Sequence, residues 1–141
     1  MSGGFIRTLL ILFPALALLN AFVFMSRLRR MVEDLGILSS TGDIRRFRRE
    51  VGYQMYAALL QIALLTAPMV FYFIGLFSHR LRPPDVLYVI VPSAVVLVVG
   101  KIMKRVEQQA KNMPASTPDF EKERDRVGRV WDTKPLPDWR D

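Results

Sequence analysis

Residues 27–50 read RLRRMVEDLGILSSTGDIRRFRRE. This stretch holds seven arginines: Arg27, Arg29, Arg30, Arg45, Arg46, Arg48 and Arg49. A long apolar block lies on either side of it, and a third block follows later in the chain. Guanidinium groups are costly to move through hydrocarbon. The connector therefore resists crossing a bilayer, and it dictates how the blocks beside it are threaded.

The blocks cover residues 8–25 (TLLILFPALALLNAFVFM), 53–77 (YQMYAALLQIALLTAPMVFYFIGLF) and 86–100 (VLYVIVPSAVVLVVG). None contains Asp, Glu, Lys, Arg or His. A helix that crosses a membrane needs roughly 20 predominantly apolar residues. The first two blocks reach that length, and the third reaches it if Lys101 snorkels and the helix runs to Met103. The valines of the third block would suit a strand in water, but a lone strand cannot satisfy its backbone in lipid. The expected fold is therefore all-α. Its transmembrane helices cover about 8–26, 53–77 and 85–103, with a cytoplasmic helical hairpin over 27–52.

The chain of 141 residues carries a net charge of +7. With three spans, the N-terminus and the second connector share one side and carry three basic residues; the other side carries seventeen. The positive-inside rule then places the N-terminus outside and the C-terminus in the cytoplasm. Positive-inside threading accounts for the basic balance without nucleic acid. The expected setting is the cell membrane, as a multi-pass protein, with the bacterial inner membrane the most natural reading. The arginines follow the first apolar core and no small-x-small site ends it, so a retained anchor is expected and not a cleaved signal peptide. Phe71, Tyr72, Phe73, Phe77 and Tyr88 fall near the outer interface, Tyr53 and Tyr56 near the inner one.

Within the connector, Leu28, Met31, Val32, Leu35 and Leu38 keep a helical stripe. The run Ser39-Ser40-Thr41-Gly42 is a turn and cap signal, and a second helix from about Asp43 places Ile44, Phe47 and Val51 on one face. These features predict a projecting hairpin with its tip at SSTG. The competing arrangement lays residues 43–51 flat on the inner leaflet. In either case the seven arginines are available to anionic lipid headgroups or to acidic residues of a partner.

Polar residues in the spans are few. Gln54, Gln61, Pro68 and Gly75 recur at seven-residue intervals and give the second span one polar, small face. Asn20 of the first span lies at nearly the depth of Gln61, so the two amides are expected to meet each other or a partner subunit. Pro14 interrupts the first span, and Ala17 and Ala21 form a small-xxx-small pair. Pro83-Pro84 start the third helix, with Asp85 at its positive end.

The stretch 113–141 differs in kind. Four prolines divide it, and its charges alternate in sign. Thr117-Pro118-Asp119 reads as a helix start and Gly128 as its stop, but a helix of that length cannot hold itself together in water. Trp131 and Trp139, the two tryptophans of the chain, lie further on. The expectation is a transmembrane domain over 1–112 and a largely irregular, partner-docking tail over 113–141, anchored by these indoles.

Catalytic carboxylate pairs, zinc helices, phosphate loops and nucleophile elbows are absent from the sequence, as are cysteines. The lone histidine, His79, carries no ligand set with it. No catalytic residue, metal or cofactor is expected. The favoured function is that of an accessory or assembly subunit in a larger membrane complex, with other membrane-protein subunits and anionic lipids as partners. The alternative is a self-assembling pore. The threading resembles that of small three-span phage holins in topology, which would imply permeabilisation of the membrane by homo-oligomers.

Overall fold

The computed structural model describes residues 3–139. Four α-helices account for most of them: α1 (Gly3–Leu35), α2 (Thr41–Phe77), α3 (Leu87–Lys111) and α4 (Pro118–Thr133). A short 3-10 turn, Pro83–Val86, leads into α3. The helices α1 and α2, and the segment Pro83–Lys111 that includes α3, are long and apolar enough to cross a membrane. At 33 and 37 residues, α1 and α2 run to roughly 50 Å or more, against a hydrocarbon core of roughly 30 Å. The excess length carries their charged ends. Few side chains of the apolar blocks are fully buried, as suits helices whose solvent is lipid; Phe22, Ile62 and Leu97 are 63%, 62% and 64% exposed.

The chain divides into two compact units. One gathers the chain up to Phe22 with Leu60–Ile102, the other Val23–Leu59 with everything from Met103 onward. This grouping differs from the division at residue 113 read from composition. Contacts decide it, and α4 makes its contacts with the hairpin and the end of α3.

In the first unit, α1 buries Ile6, Leu10, Pro14, Ala17 and Ala21. Steps of three and four residues place them on one face. Side-chain size falls along that stripe to two alanines, which lets another backbone approach closely. Pro68, Tyr72 and Gly75 are buried on α2. The rings of Phe13 and Phe71 stack with centroids 5.6 Å apart. Ile6, Leu10, Tyr72, Leu81 and Val89 form one apolar cluster. The helix α2 ends in a Schellman motif: the His79 amide donates to the Leu76 carbonyl, and the Arg80 amide to Gly75. The motif needs a left-handed residue, and His79 occupies it with φ 57°. His79→Gly relieves that conformation and is expected to stabilise the protein by about 0.5–1 kcal/mol, read as a raised melting temperature in detergent. A lowered one would contradict the cap.

The second unit is built on the hairpin. Leu28, Met31, Leu38, Ile44, Phe47, Val51 and Met55 join Val106, Ala110, Met113, Val127 and Val130 in its core. The connector thus forms helices continuous with α1 and α2, joined by a five-residue turn. The turn lies earlier than the SSTG reading: α1 stops at Leu35, Gly36 takes the left-handed conformation (φ 61°), and Thr41-Gly42 already belong to α2. Ser40 caps α2, its hydroxyl accepting the Asp43 amide at 3.1 Å. Asp43, well before the apolar block that begins at Tyr53, accepts the Ser39 amide and hydroxyl, and the amide holds its carboxyl below the ordinary range. Leu38 leaves the helical stripe assigned to it. It lies in the turn, fully buried, and pairs in a parallel bridge with Ala115.

The C-terminal stretch is more ordered than its composition suggests. The helix α4 runs through Gly128 to Thr133, capped by the Thr117 hydroxyl, which accepts the Phe120 amide. Gly128 is therefore not a stop. It is buried inside the helix, and a Cβ there would meet the Lys111 side chain of α3 at 3.9 Å, an ordinary contact distance. A helix this short is unstable alone, but packing of its apolar face supplies what propensity does not.

Candidate interaction surfaces

Each sequence-predicted residue now has a place. Asn20 Nδ2 donates to Gln61 Oε1 at 2.8 Å, so the two amides meet. Gln54, 6% exposed, donates through Nε2 to the Phe24 carbonyl at 2.7 Å. Pro68 is fully buried. Gly75 is buried too, and a Cβ added there would come within 2.5 Å of Leu81. The seven-residue stripe of α2 thus faces protein, and its amides are used within the chain. An interhelical amide pair in lipid contributes roughly 0.6–2 kcal/mol. Gln61→Leu is expected to remove that amount, read by thermal unfolding in detergent. The double variant N20L/Q61L should recover part of it, because neither amide is then left in hydrocarbon without the other. Unchanged stability in the single variant would dismiss the pair as a packing element.

The seven arginines separate into two sets. Arg27 pairs with Glu50, Nε to Oε1 at 3.2 Å, and its guanidinium lies 4.8 Å from the centre of the Tyr53 ring. Arg46 pairs with Asp34 across the hairpin at 2.9 Å. Among the described residues, no carboxylate lies within ion-pair distance of Arg29, Arg30, Arg45, Arg48 or Arg49. Glu50 is a residue that motif reading passes over. Its carboxylate is mostly buried and holds Arg27 against α2, so this arginine is not available in the way its neighbours are.

Both tryptophans contact their own chain. Trp131 packs on the hairpin core, with the Lys111 ammonium 4.9 Å from the centre of its ring. Lys111 also pairs with Asp132 of α4 and with Glu107 at 3.6 Å. Arg124 donates to the Met113 carbonyl at 2.8 Å. Trp139 and Pro137 lie against Gly52 of α2, at 3.8 Å and 3.6 Å from the position of an added Cβ. The docking surface expected on a partner is thus supplied, for these two indoles, by α2, α3 and the hairpin. Gly52 was legible only as one more glycine; its role depends on a segment more than eighty residues away.

At the other polar cluster, Asp85 accepts the Arg82 amide at 2.7 Å and pairs with Arg7 at 3.3 Å. The Tyr72 hydroxyl donates to the Pro83 carbonyl at 3.2 Å. These bonds close the turn between α2 and α3.

One open cleft of about 410 Å³ lies in the second unit, lined by Val32, Gly36, Arg105, Gln108, Gln109 and Asn112 among others. The side-chain amides of Gln108, Gln109 and Asn112 have no hydrogen-bond partner within the described chain. A second groove, of about 590 Å³, lies between Tyr56 and the segment from Lys134 to Asp138. Among the described residues no group of three or more His, Asp or Glu side chains is placed to hold a metal. Comparison of the chain with family models, with curated proteins and with solved structures finds no match.

Proposed function

We propose that this chain is a non-catalytic accessory or assembly subunit of a larger multi-subunit membrane complex. Its N-terminus faces outward, and its hairpin and α4 lie in the cytoplasm, as the distribution of basic residues favours. The observation that carries this reading is the open cleft of the second unit, largely apolar in surface, whose lining includes the side-chain amides of Gln108, Gln109 and Asn112. It offers several donors in one concave strip, with Arg105 beside them and the unpaired Arg29 and Arg30 elsewhere on the same unit. Such a surface suits an acidic, irregular segment of a partner subunit, held through wet hydrogen bonds and charge complementarity. The apolar blocks hold no Asp, Glu, Lys, Arg or His with which to move protons or perform chemistry.

The pore reading needs a polar lining. The Asn20 and Gln61 amides are joined to each other, which leaves a homo-oligomer little to line a water path. Purification from native membranes in mild detergent tests the proposal. A defined partner should co-purify, and Q108A/Q109A/N112A should reduce its recovery while leaving the fold intact. If the protein is instead recovered as a stable homo-oligomer whose expression alone permeabilises cells, the accessory reading fails.

A further inference from the structure

We infer that the first turns of α2 and the C-terminal segment 134–139 together form a binding site for an anionic phospholipid. Arg45, Arg48 and Arg49 stand at i, i+3 and i+4, so their side chains share one region of the helix surface. Like charges at this spacing repel, and no carboxylate relieves them among the described residues. The surface is therefore poised for an external anion.

The helix continues this face one turn further. Gly52 follows Arg48 by four residues and Arg49 by three, and Tyr56 follows Gly52 by four. Pro137 and Trp139 lie against the helix at Gly52, within van der Waals reach of where a Cβ would stand. The chain thus lays an indole between the arginines and Tyr56. The groove between Tyr56 and the Lys134–Asp138 segment is partly apolar: Tyr56 is 56% exposed and Leu136 50%. Lys134 and Asp138 pair with each other at 3.9 Å, so the Asp138 carboxylate is offset where the headgroup would sit.

Depth supports the assignment. The apolar block of α2 begins at Tyr53, and Arg49 and Arg48 precede it by four and five residues, roughly 6–8 Å along the axis. That is the thickness of the interfacial layer on one side of a bilayer, where headgroup phosphates lie. Trp and Tyr rings favour the same level. Arg donors match a phosphate, while Leu136 and the rings of Tyr56 and Trp139 suit the glycerol and upper acyl region. The inference rests on the membrane embedding of α2 but not on any partner subunit.

Quenching of Trp139 tests it. The variant W131F, reconstituted alone in phosphatidylcholine vesicles, reports only Trp139. Brominated phosphatidylglycerol and brominated phosphatidylcholine are titrated in at equal mole fractions. An arginine beside an anionic leaflet contributes roughly fivefold in affinity. Half-quenching should therefore come at a mole fraction of the anionic lipid at least roughly fivefold lower. In R45Q/R48Q/R49Q the two curves should converge, while R45K/R48K/R49K keeps most of the preference. If W131F fails to fold, the wild type with W139F as its blank yields the same difference. Coincident curves in the parent protein would overturn the site and leave these arginines to a partner's acidic segment. An indole unquenched by either lipid would overturn it too. Because the protein is tested alone, neither outcome bears on co-purification with a partner.

Discussion

Replacing Phe47 with alanine is expected to destabilise the protein by about 3–5 kcal/mol. Phe47 is the largest of the fully buried side chains, and it belongs to the cluster that unites α1, α2, α3 and α4. Truncation removes a whole ring from a site whose neighbours are held from several directions, so the cavity cannot collapse. The melting temperature, followed by Trp131 and Trp139 fluorescence in detergent, should drop by roughly 10 °C or more. Phe47→Leu should recover most of the loss, because it refills much of the volume. A loss in the alanine variant below about 1 kcal/mol, the level of an average substitution, would show that the hairpin and α4 do not share a core.

Gly75→Ala is the second large effect. An added Cβ would lie 2.5 Å from Leu81 Cδ1, 2.6 Å from its Cγ and 3.4 Å from Ile6. The tip of a flexible side chain can usually give way, but Leu81 is only 4% exposed and its γ carbon is as close as its δ carbon. Gly75 also accepts the Arg80 and Leu81 amides, so the backbone that would have to shift is pinned. Overpacking of this kind costs about 1–3 kcal/mol, more than the helix propensity gained by replacing a glycine. Thermal unfolding of G75A should show a net loss. A companion variant, G75A/L81A, removes the clash and should regain part of it. A G75A protein as stable as the parent would mean that the turn after α2 is looser than its hydrogen bonds imply.

Much of the architecture is legible in the sequence. Three blocks without Asp, Glu, Lys, Arg or His specify three long helices, because hydrocarbon leaves a lone segment's backbone no other way to satisfy itself. The inward face of α2 could be read from Gln54, Gln61, Pro68 and Gly75, since a polar or small stripe on an oily helix turns from lipid. The Asn20–Gln61 contact followed from counting depth at a fixed rise per residue. These inferences concern one helix at a time, or two helices that a single connector forces together.

Residues whose role depends on other segments are less legible, because their partners are set by packing. Gly128 and Gly36 look alike locally, yet Gly36 ends a helix in the left-handed conformation while Gly128 lies buried inside one. Arg27 looks like its neighbours until Glu50, at the other end of the same connector, is seen to hold it. The amphipathic pattern of 118–133 announces a face to be buried but not what buries it, so Trp131 and Trp139 pointed equally well to a partner. By itself the sequence determined that the chain is helical and built for a membrane, because both follow from the contrast between charge and oil along a single strand. Only the tertiary structure decided that Val127, Val130 and the two indoles return to the chain's own hairpin, because an apolar face is satisfied by any surface that excludes water, and which surface comes first is settled in three dimensions.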